Sequence, residues 1–227
     1  MIKDFRLGIA MMRNGLNYDR AIGGVFLIIV VALAYVILLP IPAVAGLLVM
    51  IGVMGVTQTV HSVTISTMVQ SSPYKKKLRT TISAYISFMV MVIGNTICLI
   101  MYWLAYLRIE NNKSIIFLHM YKYDEKTYAN TIIICALLMV AFVLYTTLSN
   151  VFFWSSTIVF LGWWIWKRFS DITVMFELFD ISIKEAIILS YVIVLIGSVV
   201  LYVLNCLLYK FDYHKLSFKG LIKRASK

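Results

Sequence analysis

The chain has 227 residues, 62% of them hydrophobic, with a formal net charge of +11 and a mean hydropathy of +0.90. Apolar surface on that scale would aggregate a water-dispersed domain, so the composition excludes a soluble globular protein and makes the bilayer the solvent. Charge is confined to short intervals: no Asp, Glu, Lys or Arg lies between Arg20 and Lys75, Arg79 and Arg108, Lys126 and Lys167, or Glu185 and Lys210.

A hydrocarbon core of roughly 30 Å takes about 20 helical residues at about 1.5 Å each, so these gaps hold two, one, two and one spans in turn. The apolar runs are unbroken rather than alternating, which selects helices over barrel strands. The predicted fold is all-α: a polytopic membrane protein with six transmembrane helices, at 21–39, 43–66, 82–107, 129–148, 151–166 and 186–209, in one transmembrane domain covering 1–227.

Residues 1–20 open the chain with Ile2, Phe5, Ile9, Met12 and Leu16 along one helical face and Lys3, Asp4, Arg6 and Arg13 off it. This pattern predicts an interfacial amphipathic helix, an anchor or a docking element. Residues 25–39 followed by Ala43-Val44-Ala45 have the look of a signal peptide, but the apolar run is long enough to span and another membrane segment follows it, so it reads as the first span. Pro40 and Pro42 mark the turn into the second.

The second span, within 21–66, outruns the bilayer, turning polar at Thr57, Gln58, Thr59 and His61 while Val56, Val60, Val63 and Met68 keep helical spacing. A cytoplasmic elbow follows at 67–81, where Ser72 is predicted as N-cap and Pro73 as the first residue of the third span's helix. Lys75, Lys76 and Lys77 then oppose the helix dipole in its first turn. They serve as a topology signal or as a contact surface for a cytoplasmic protein.

After the third span come an extracellular loop at 108–128 and the fourth and fifth spans within 129–166, with a turn at Ser149 and Asn150. If that region held one span and a dipping half-helix, the total would be five. Trp163, Trp164 and Trp166 before Lys167 and Arg168 read as an interfacial belt. A short extracellular amphipathic segment occupies 167–185, and Ser182 with Glu185 forms a capping box that starts the last span near Ile183. The tail is 210–227.

With six spans, the side carrying 1–20, the elbow and the tail has 14 Lys/Arg against seven on the other, and all of the net charge. Positive-inside bias puts both termini in the cytoplasm of a cell-membrane protein. Five spans would export a strongly basic tail.

Catalytic motifs are absent: no GxxxxGK[ST], HExxH or GxSxG, and no paired acids within a span. An intramembrane enzyme therefore has no motif to rest on, and no cofactor or metal is expected on this chain. Cys98, Cys135 and Cys206 fall within spans and read as packing residues. His61, the one ionisable group at depth, is a neutral hydrogen-bonded histidine or a proton relay. Thr57, Gln58, Thr59, Asn95, Thr96, Thr146, Thr147, Ser198 and Asn205 bond across helices or, if they share a face, line a weakly polar path.

An interfacial helix (2–16), six spans, a basic elbow (57–79) reading SSPYKKKLRTTISAY at its core and a short amphipathic outer piece (169–183) together resemble the membrane subunit of ABC-2 class ABC transporters. Small peptide and bacteriocin exporter permeases of Gram-positive bacteria are similar in length. The long extracellular domain that some relatives insert is missing. The resemblance implies a permease subunit of an ATP-driven exporter of amphipathic peptides or other hydrophobic substrates, relying on a separate ATPase chain that holds ATP and Mg. It implies pairing with a second permease copy or paralogue. Gln70, Ser71, Ser72, Pro73, Tyr74, Lys75, Lys76, Lys77 and Arg79 would form the ATPase-coupling surface. Thr57, Gln58, His61, Asn95, Thr96 and Asn205 are the candidates for a substrate path. A bacteriocin-immunity or scaffold protein without transport of its own is the alternative.

Overall fold

A computed structural model of the chain describes residues 42–63, 73–111, 125–151 and 179–211, together with Phe26 and Val30. Every element among them is helical: α1 (Pro42–Val63), α2 (Ser83–Asn111), α3 (Glu125–Val151) and α4 (Ile183–Leu208). An α-turn at Lys75–Lys77 and a π-helical turn at Leu78–Ile82 lead without a break into α2. Three runs, Lys75–Leu104, Glu125–Leu148 and Ile183–Leu208, are long and apolar enough to cross a membrane, while α1 contributes the shorter apolar stretch Leu48–Val60. The chain is that of a membrane protein. Phe26 and Val30, in the expected first span, are helical and exposed. The N-terminal amphipathic helix and most of 151–166 and 167–185 lie outside the described residues.

Local chemistry explains the helix starts. Pro42 opens α1, where its fixed φ suits a helix and its missing N–H costs nothing. At Ser182 both halves of the capping box are made: the Glu185 N–H donates to Ser182 Oγ, and the Ser182 N–H donates to Glu185 Oε2 at 2.9 Å. The third span differs from expectation. Pro73 and Tyr74 form a turn and the helix begins at Lys75, because the first helical bond runs from the Leu78 N–H to the Tyr74 carbonyl at 2.9 Å, which makes Tyr74 the N-cap.

A second correction concerns Ser149 and Asn150. α3 carries through both to Val151, so the chain does not turn there. Helices α2 and α3 also outrun the charge-free windows at their ends, since backbone bonding continues after the side chains have reached water.

Contacts fix the directions. Opposite α2, Gly46 of α1 approaches Tyr102, and Val53 approaches Gly94, so α1 and α2 are antiparallel. Tyr102 bonds Cys135 at 2.8 Å while Gly94 faces Met139, so α2 and α3 are antiparallel too. On α4, Ser190 meets Asn95 and Tyr209 meets Lys76, again antiparallel to α2. Helices α3 and α4 therefore run the same way, with Lys126 and Asn130 beside Asp180 and Phe179 at their starts and Val140 against Gly197 farther along.

The core is shared by all four helices. Met50, Val53, Met91, Met101, Ile133, Met139, Val194 and Leu201 are its buried centre. On α4 the buried stripe is Ala186, Ser190, Val194, Gly197, Leu201, Asn205 and Leu208, a four-four-three spacing of about 3.67 residues per turn that stays close to the 3.6 of an α-helix and so keeps to one face. Its outer face, with Ile188, Leu195, Ile196, Val199 and Leu207, is exposed and apolar, as a lipid-facing surface is.

Candidate functional site

The basic end is assembled from the turns before α2 and the end of α4. Lys75, Lys76, Lys77 and Arg79 arise from the turns that precede α2, and the antiparallel register brings them beside the C-terminus of α4. Lys76 Nζ stands 5.4 Å from the centre of the Tyr209 ring, and Lys210 Nζ lies 6.0 Å from the same ring. Arg79 Nη2 donates to the Phe211 carbonyl at 3.3 Å. Lysines that oppose the dipole of their own helix here lie against the negative end of α4, which offsets the penalty. A cation over a ring outside the core, as the half-buried Tyr209 is, adds about 0.5–1 kcal/mol.

Among the described residues this end holds no acid; the acids Glu110, Glu125, Asp180 and Glu185 are at the other. Tyr74 projects, 63% exposed, from the turn with Pro73. Gln70, Ser71 and Ser72 lie outside the described residues. Tyr209, Lys210 and Phe211 were missed in the sequence, where only an aromatic and a cation just past the last span signal them.

The π-helical turn inserts an extra residue between the lysines and α2. Such turns leave a helix locally loosened and recur at functional sites. Here it lets Leu78, Ile82 and Ile86 pack on Val60 of α1 while Arg79 reaches toward α4.

The six interior candidates do not form one cluster. Asn95 Nδ2 donates to Ser190 Oγ at 3.0 Å, and Thr96 shares a 2.9 Å bond with the Tyr191 hydroxyl, so these two tie α2 to α4. Thr57, fully buried, bonds its own helix at the Val53 carbonyl. Gln58 is half-buried beside it, and His61 is helical with a side chain outside the described residues. Asn205 belongs to a different level: since Asn95 faces Ser190, register sets Asn205 opposite Thr80, about 22 Å nearer the basic end at about 1.5 Å per residue.

The far end is clasped rather than charged in one sense. Asn130 donates to the Phe179 carbonyl and accepts from the Phe179 N–H, both at 3.0 Å. The Lys126–Asp180 pair at 2.7 Å is largely exposed, so its contribution is small. All three cysteines are free, with Cys98 and Cys135 buried in the core.

Comparison of the chain with protein-family models, curated proteins and solved structures finds no match.

Proposed function

We propose that this chain is the permease subunit of an ATP-driven exporter resembling the ABC-2 class, with six spans, both termini cytoplasmic and the basic end seating a separate ATPase. The observation that carries the reading is the join between elbow and last helix: Lys76 on Tyr209 and Arg79 on Phe211. A load applied at Tyr74 and the lysines would pass directly into α4, and through the Asn95–Ser190 bond into the middle of the bundle.

Topology supports it from another direction. Helices α3 and α4 run parallel, as expected if a fifth span at 151–166 carries the chain back from the basic end to the clasped end. On that reading the partner ATPase binds ATP and Mg, its closure rocks two paired permeases, homodimeric or heterodimeric, and an amphipathic peptide leaves the cell. The energy comes from the partner; this chain transmits it.

The test is co-expression with the cognate ATPase. Wild type and a Lys75→Arg/Lys76→Arg/Lys77→Arg variant should co-purify with it and stimulate hydrolysis, since charge and the contact with Tyr209 survive. Pro73→Ala and Tyr74→Ala should insert normally yet lose coupling, the first because the turn that presents Tyr74 is re-formed and the second because the presented ring is removed. Failure of the wild type to hold the ATPase favours the immunity or scaffold role.

A further inference from the structure

The basic end and the outer face of α4 meet along one line. Ile196, Val200, Val203 and Leu207 recur at spacings of four, three and four, which sets them on one face of the helix, and all four are exposed. Lys210, three residues past Leu207 and just beyond the helix, is exposed as well. From Ile196 to Leu207 the stripe runs about 16 Å at about 1.5 Å per residue, roughly half of a 30 Å hydrocarbon core and so the depth of one leaflet.

The cations at the end of this stripe converge. Lys76 Nζ at 5.4 Å and Lys210 Nζ at 6.0 Å share the Tyr209 ring, although they come from different helix ends. Arg79 is fixed beside them by its bond to the Phe211 carbonyl. Like charges gathered at one ring repel, and the negative end of α4 supplies only about half an elementary charge against them. Among the described residues no acid lies at this end. The convergence has the sign of a site for an anion, and the stripe beside it has the polarity of a site for hydrocarbon.

We propose that this face binds one anionic phospholipid of the leaflet at the basic end, its phosphate between Lys76 and Lys210 and its acyl chains along Ile196, Val200, Val203 and Leu207. An acidic protein surface or a free phosphate would match the cations but leave the apolar stripe unused. A phospholipid alone joins a phosphate to chains one leaflet long. Basic pockets between spans take anionic headgroups in this way. The inference stands apart from the exporter reading: it needs only the bundle and a bilayer, and its test contains no ATPase.

That test is native mass spectrometry of the full-length protein in detergent. The probes are dioleoylphosphatidylglycerol, dioleoylphosphatidylcholine as the zwitterionic lipid with the same chains, and glycerol phosphate as a headgroup without chains. One phosphatidylglycerol should bind, at least about tenfold more tightly than phosphatidylcholine, and glycerol phosphate at the same concentration should not displace it. Lys76→Gln and Lys210→Gln should each weaken binding about fivefold, and the pair should abolish the preference. The single variants, at exposed positions, give the readout should the pair fail to fold. Lys75→Gln/Lys77→Gln removes the same net charge and should cost less than about fivefold. Equal losses in the two pairs would reduce the site to diffuse surface charge and overturn the proposal. Equal binding of the two lipids would overturn it too, as would displacement by glycerol phosphate or a polyglutamate peptide at the lipid's own concentration.

Discussion

Single polar side chains join helices here that apolar packing alone would leave free to slide. Lipid tails compete with apolar helix faces on equal terms, so interhelical hydrogen bonds and close packing supply the specificity; double-mutant cycles put such bonds near 0.6 kcal/mol on average and about 1.7 at most. Asn95–Ser190 and Thr96–Tyr191 are neighbouring examples in the α2–α4 interface. A cycle of Asn95→Ala and Ser190→Ala, read by unfolding in bicelles, should give a coupling of about 0.6–1.7 kcal/mol with the native state favoured. Zero coupling would mean that the two side chains do not meet. That Asn95 and Thr96 lie at depth was legible from the sequence. Their partners were not, because 95 residues separate each pair and nothing in a single helix's periodicity sets its register against another helix.

Glycines govern how closely the elements approach. A Cβ at Gly197 would strike Val140 and one at Gly94 would strike Val53, and both obstacles are short, stiff β-branched side chains. Gly55 has open space around it. Gly197→Ala should therefore push α4 from α3 and cost about 1–3 kcal/mol as overpacking does. Gly55→Ala, gaining helix propensity without a clash, should be neutral or stabilising by up to about 1 kcal/mol. Thermal unfolding in detergent reads the contrast: equal shifts would refute the close approach. The clearest boundaries in the sequence were those written in local chemistry, as at Pro42 and the Ser182–Glu185 box. Removing the box by Ser182→Ala should lower stability by about 1 kcal/mol on the same measurement. The boundaries that failed were those where local preference is weak: Ser149 and Asn150 are poor helix formers, yet α3 absorbs them, and the π-helical turn has no signature beyond the lysines before it.

At the scale of the whole molecule, charge and packing make separate statements about sidedness. On the proposed topology, charge asymmetry sets the elbow and the tail on the cytoplasmic side by the positive-inside bias, and it would do so for any arrangement of helices. Packing is independent of sign: Lys76 on Tyr209 and Arg79 on Phe211 hold the elbow and the end of α4 together, while Lys126–Asp180 and Asn130–Phe179 hold the other loops together. Both give the same pairs. The proposed topology therefore predicts that thiols introduced by Lys76→Cys and Ser217→Cys are protected from an impermeant reagent in intact cells, while those from Asn112→Cys and Ser170→Cys are labelled. Five spans would label Ser217→Cys and leave Lys76→Cys protected. That result would do more than remove a span: it would set the tail across the membrane from an elbow whose lysine lies 5.4 Å from the Tyr209 ring. The load path from elbow to last helix would go with it. If all four positions reverse together, packing stands and only the sense of insertion is wrong, which would move the basic end away from any cytoplasmic ATPase.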